Sequence, residues 1–113
     1  MQTARCHCGN LHLDIDAALE QAIECNCSIC AKKGYILAFV PASQVRVVSN
    51  VEQRGYRFHS MKIEHAFCGH CGCSPFGMGK APDGTDTYAI NLRCVDDLDL
   101  STVKISPYDG KNL

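Results

Sequence analysis

Clustered cysteine is the feature that most narrows what this chain can fold into. Nine Cys fall in 113 residues, as Cys6 and Cys8, then Cys25, Cys27 and Cys30, then Cys68, Cys71 and Cys73, and finally Cys94. In a small secreted protein that density would read as a disulfide framework. Here the count is odd, the N-terminus "MQTARCHCG" has no apolar stretch of the kind a signal peptide carries, and the thiols are bunched. The pattern predicts metal ligation in a reducing compartment, the cytosol, where thiols stay unpaired.

The spacing predicts which thiols act together. "FCGHCG" (67–72) is a C-x-x-C knuckle followed by Gly72, which relieves the backbone where the turn needs positive φ. A redox C-x-x-C would need a strand-to-helix context that "GCSPFG" does not offer. The knuckle supplies two ligands and needs two more. "CHCG" (6–9) provides them if the segment is extended, because residues i and i+2 then point to one side. Cys6, Cys8, Cys68 and Cys71 thus predict a closed structural Cys₄ zinc site that contributes to folding.

"CNCSIC" (25–30) remains, with three thiols able to converge on one ion. Three protein ligands and an open fourth position make a reactive zinc. Two alternatives stand beside it: Cys94 completes a second closed Cys₄ site, or the thiols form a metal-free cluster.

At this length a single domain over 1–113 is expected, with one modest core. Four Phe, four Tyr and no Trp leave that core poor in aromatics, so zinc has a stabilising part to play. "LHLDID" (11–16) alternates strictly and reads as a strand. "AALEQAIE" (17–24) has helical composition but is short enough to be one turn, or a loop entering a strand. "YILAFVP" (35–41), "QVRVVS" (44–49), "YRFHS" (56–60), "KIEHAFC" (62–68), "TYAINLRC" (87–94) and "TVKIS" (102–106) read as further strands, with "SM" joining a hairpin. "GMGKAPDGTD" (77–86) reads as an exposed loop. The expectation is a mostly β, mostly antiparallel fold with cysteines at strand ends and turns.

Net charge is −1 and the pI about 6.5, which gives no basic footprint for nucleic acid. No stretch approaches the ~20 apolar residues of a membrane span.

"CHCG", "CNCSICAKKG", "FCGHCGCSPF" and "NLRCVDDLDL" together resemble the motif blocks of the glutathione-dependent formaldehyde-activating enzyme family, which also includes centromere protein V. The likeness runs from about Arg5 to "YDGKNL". It implies a small Mss4-like antiparallel β fold stapled by two zinc ions. It also implies that Cys6, Cys8, Cys68 and Cys71 hold a structural zinc and that Cys25, Cys27 and Cys30 hold a catalytic one. The implied activity is that of a carbon–sulfur lyase, S-(hydroxymethyl)glutathione synthase, which joins glutathione reversibly to formaldehyde. An ion with an open position suits that chemistry by lowering the pKa of a thiol and presenting it to the aldehyde. Three thiolates leave such a site with a charge of roughly −1, which weakens Lewis acidity and favours ion exchange. The rival readings are a non-catalytic zinc module that binds another protein, and a thiol or zinc sensor. "CAKKG" and "VPAS" stand closer to the centromere-protein branch, and only five residues precede Cys6.

The other polar residues have plain readings. Cys73 is expected as a core thiol, and Cys94, on a strand, as either a buried small hydrophobe or a neighbour of the second zinc. His7 and His70 read as loop residues, and His12, His59 and His65 as solvent-side strand residues. Lys32 and Lys33 are solvated surface or attract an anion such as glutathione. Asn91 and Arg93 line the second site or pair with the acidic residues that follow. Asp96, Asp97 and Asp99 read as turn and surface residues.

Overall fold

The structure, a computed structural model, describes residues 1–58 and 61–112. Among the described residues ten strands form two sheets, with one short α-helix beside them. In the first, β1 (Gln2–Arg5), β2 (Leu11–Ile15) and β5 (Val45–Asn50) lie in the order β1-β2-β5, all antiparallel. The alternation of "LHLDI" has its expected result: Leu11, Leu13 and Ile15 are fully buried and lead the core. Burial of each such side chain contributes roughly 1.5–3 kcal/mol.

The second sheet has seven strands, and the site is built on it. Its members are β3 (Gln21–Cys25), β4 (Leu37–Pro41), β6 (Gln53–Tyr56), β7 (Glu64–Cys68), β8 (Phe76–Lys80), β9 (Asp86–Asn91) and β10 (Lys104–Tyr108). Their order is β10-β3-β4-β9-β8-β7-β6. Every pair is antiparallel except β10 beside β3, where Tyr108 stands opposite Cys25. The fold is mostly β. Among the described residues no helix is long and apolar enough to cross a membrane.

Several expectations change. Helix α1 (Ser28–Lys33) grows out of the cysteine cluster and ends at Gly34, which takes a left-handed φ of 68°. Six residues are too few to show a helical period, although "KKG" is a helix-stop signal. "GMGKAPDGTD" is not all loop, because β8 runs through Lys80 between β7 and β9. Its glycines argue against a strand, but Gly77 sits where a Cβ would lie 3.2 Å from the Glu64 carbonyl oxygen.

"YRFHS" is not the strand expected. β6 ends at Tyr56 and pairs with β7 through Tyr56 opposite His65 and Gln53 opposite Cys68. The hairpin is therefore real but its connection spans 57–63. His59, and Ser60 of the "SM" link, lie outside the described residues. "NLRC" leaves the strand as well: β9 stops at Asn91 and Leu92–Cys94 form a 3-10 turn, because the Asn91 side chain accepts the Arg93 N–H at 3.2 Å.

Candidate metal centres

Two chain turns build the first cluster. Cys6 and Cys8 stand in the tight connection between β1 and β2, not on an extended segment as their i, i+2 spacing suggested. There the Cys6 N–H donates to the Leu11 carbonyl at 3.0 Å and the Leu11 N–H donates to Cys6 Sγ at 3.2 Å. Cys68 ends β7 and Cys71 follows in the knuckle. Gly72, with φ 82° as expected, donates its N–H to the Cys68 carbonyl at 2.8 Å. The His70 and Cys71 N–H groups both donate to Cys68 Sγ at 3.4 Å.

The four sulfurs of Cys6, Cys8, Cys68 and Cys71 lie within 4.8 Å of one another, with Cys6 to Cys8 and Cys8 to Cys68 each at 3.6 Å. A tetrahedral ion bonded to sulfur at about 2.3 Å holds its ligands about 3.8 Å apart, so the donor set fits. Electrostatics agrees. N–H groups of Cys73 and Cys8 aimed at Cys71 hold its thiol down to about 5. The N–H groups of Cys71 and His70 likewise lower Cys68. Cys8 goes the other way: the Asn10 N–H favours its thiolate, but desolvation and the Cys68, Cys6 and Cys71 sulfurs push it up to about 12.

The second cluster brings together Cys25, Cys27 and Cys30, again within 4.8 Å of one another. Cys25 closes β3, Cys27 caps α1, and Cys30 is buried on the first turn of that helix. Desolvation opposes ionisation of Cys27, yet the Cys30 N–H, the Cys30 and Cys25 thiols and the Ile29 N–H together lower it. Burial, then the Cys27 thiol, pushes Cys30 up. The cluster therefore sets a favoured thiolate at Cys27 beside a Cys30 thiol that burial makes hard to ionise.

No fourth cysteine joins these three. Cys94 lies by the first cluster instead, in a cavity of about 410 Å³ bordered by Cys6, Cys8, Cys73 and the Arg5–Asp96 ion pair at 2.6 Å. Burial, then the Cys73 sulfur, raises its thiol to about 11. Cys73 packs half-buried against the core, also outside both groups. Asn91 and Arg93 do not line the second cluster. Asn91 is buried and donates to the Ser74 carbonyl at 3.0 Å, and Arg93 donates to the Gly34 carbonyl at 2.9 Å, which ties the end of α1 to the turn after β9.

The second cluster opens into a cavity of about 490 Å³ walled by Tyr35, Phe39, Phe58, Ile63, His65 and Phe76. His65 was read as solvent-side, but it is half-buried between the rings of Tyr35 and Phe58, with centroids at 6.3 and 5.6 Å. Burial, then the charge of Lys33, lowers its pKa. Lys32 and Lys33 are both exposed, and Lys33 also donates to Ser74 Oγ at 3.1 Å and stands 5.7 Å over the Phe67 ring.

Sequence reasoning also missed the C-terminal cover. The Asn26 N–H donates to the Tyr108 carbonyl at 3.1 Å, its side chain donates to Asp109 at 2.9 Å, and it accepts the Lys111 N–H at 2.9 Å. This clamp lays Gly110 against the cluster, where a Cβ would meet Cys25 Sγ at 2.5 Å. Only the small residue in "YDGKNL" hinted at so close an approach.

A crystal structure of a Rhodobacter sphaeroides protein superposes with a TM-score of 0.78 at 23% identity, covering 94% of this chain and 99% of that one, which shows a shared fold. The sequence profile described as glutathione-dependent formaldehyde-activating enzyme matches residues 1–108. With nearly the whole chain matched, this protein belongs to the glutathione-dependent formaldehyde-activating enzyme family.

Proposed function

We propose that this chain is a zinc-dependent enzyme of the carbon–sulfur lyase type, which joins glutathione reversibly to formaldehyde as S-hydroxymethylglutathione. The observation that carries the proposal is the three-sulfur cluster, which no fourth ligand joins among the described residues and which lines a cavity. Cys6, Cys8, Cys68 and Cys71 would hold a structural zinc in an Mss4-like β domain, and Cys25, Cys27 and Cys30 a catalytic one. Unpaired thiols in this number suit a reducing compartment such as the cytosol.

When bound at the second cluster, zinc supplies a positive charge that lowers the pKa of an incoming thiol. The chain's own residues do the rest. In the addition, the thiol sulfur bonds to the aldehyde carbon, the carbonyl π pair moves to oxygen, and the thiol proton ends there. His65, kept neutral by burial, is the group suited to take that proton. Tyr35, whose hydroxyl is raised by burial against the opposing Ser74 hydroxyl, stays protonated and can donate to the developing oxyanion. Apolar walls and the clamped C-terminal turn limit water at the reacting carbon.

The test combines turnover with metal analysis. The purified chain should hold two zinc ions and accelerate the condensation, and Cys30→Ser should abolish turnover while the fold and the first ion remain. If Cys30→Ser condenses glutathione and formaldehyde at the wild-type rate, the catalytic role of the cluster is wrong. Loss of the second ion to added glutathione, without turnover, would instead favour thiol sensing.

A further inference from the structure

The cavity over the second cluster is larger than formaldehyde needs, and its own lining offers no charged partner for the ends of glutathione. Its volume of about 490 Å³ is that of a drug-sized ligand site. Formaldehyde takes up roughly two water volumes, at about 30 Å³ each, and would leave it nearly empty. Its lining holds no Lys, Arg, Asp or Glu. The tripeptide carries two carboxylates and an ammonium, and none of them finds a charged partner within that lining.

Charge is available, but only next door. A second cavity of about 380 Å³ holds Lys32, Lys33 and Ser74, and shares Ile29 and His65 with the first. Among the described residues neither lysine has a carboxylate partner. Lys33 is held in place by Ser74 Oγ at 3.1 Å, and Ser74 itself is buried. Four rings cross the shared border in a stacked row: Tyr35, His65, Phe58 and Tyr56, with successive centroids 6.3, 5.6 and 5.8 Å apart. The row starts beside the thiols and ends in the lysine cavity.

We propose that this double cavity takes a thiol, or its aldehyde adduct, with an apolar ring-sized body lying on the aromatic row and a single anionic end held by Lys33. This deepens the reading above and rests on it only for where the reactive sulfur goes. Stacking on the row supplies affinity, and the fixed ammonium supplies direction. Glutathione is then held less tightly than such a thiol, since it has no ring for the aromatic row and its ammonium meets no carboxylate in either lining.

The test uses probes that cannot react and do not ligate metal well. The zinc-loaded full chain is titrated with 2-phenylethanesulfonate, ethanesulfonate and 2-phenylethanol, by calorimetry and by following the His65 imidazole signals. The aromatic sulfonate should bind at least 10-fold more tightly than either fragment probe and shift His65. Lys33→Gln should remove most of the advantage of the sulfonate over the alcohol, and Phe58→Ala most of its advantage over ethanesulfonate. Equal affinities for the three probes, or an aromatic sulfonate that binds Lys33→Gln as well as wild type, overturns the proposal. Turnover is scored separately. Normal glutathione–formaldehyde turnover with no probe binding sinks this inference alone, whereas the expected probe binding with no turnover supports it and sinks glutathione as the substrate.

Discussion

Replacing Gly110 by Ala tests the second cluster without touching a sulfur. Gly110 lies outside the left-handed region, so alanine can adopt its backbone, and the whole perturbation is one methyl group placed 2.5 Å from Cys25 Sγ and 3.3 Å from Cys27 Cβ. Ordinary contact needs about 3.5–4.0 Å, so Cys25 or the turn must move by about 1 Å. Metal–ligand distances tolerate about 0.2 Å, and overpacking of this size costs about 1–3 kcal/mol. If the turn holds, that strain falls on ion binding, and at 1.4 kcal/mol per decade the second ion should bind about 5- to 150-fold more weakly. Competition with a chromophoric chelator reads both ions, and the first cluster serves as the internal control with unchanged affinity. A Gly110→Ala variant that releases its second ion like wild type would refute the argument, because Cys25 would not be a ligand or the turn would not press on it.

Gly72→Ala places a side chain at φ 82° in open space, so its whole effect is conformational strain of about 1–2 kcal/mol. First-ion affinity should drop about 5- to 30-fold by the same chelator assay while the second ion is untouched. Cys94→Ala should leave two ions bound per chain by elemental analysis, since Cys94 joins neither cluster; loss of one ion would restore it as a ligand. His65 has a folded pKa below its ordinary value of about 6.5, so the unfolded chain binds its proton first on acidification. Its contribution is fully present above about pH 6.5 and is lost as pH falls through the folded value. An imidazole NMR titration should place the midpoint below 6.5, and His65→Gln should flatten the acid limb of the melting curve. A midpoint at or above 6.5 would contradict a desolvated ring.

What the sequence revealed depends on how local the cause is. The alternation of Leu11, Leu13 and Ile15 and the need of Gly72 for positive φ are consequences of a few neighbouring residues, and both were legible. The groups Cys6, Cys8, Cys68, Cys71 and Cys25, Cys27, Cys30 were legible because counting thiols leaves few ways to divide them. Long-range pairing hid the rest. Nothing in "FGMGK" marks a strand until β7 and β9 flank it, and nothing near His65 places its ring between Tyr35 and Phe58. The side chain of Asn26 clamps a turn some 83 residues away in sequence, which no local pattern encodes.

The two clusters also differ in how they are held, and this bears on why one would stay closed while the other works. Both halves of the first are turns whose backbone N–H groups point at sulfur, and one half is anchored on the fully buried Cys68 at the end of β7. Opening it means breaking the β1–β2 turn or the knuckle. All three cysteines of the second come from one six-residue segment, 25–30, so an ion held by them would crosslink nothing distant and its removal would free only a short loop. A further constraint on it is the exposed Asn26–Asp109 clamp. A site built this way gives up little folding energy when it exchanges a ligand, which is the property a reactive centre needs and a structural staple must lack.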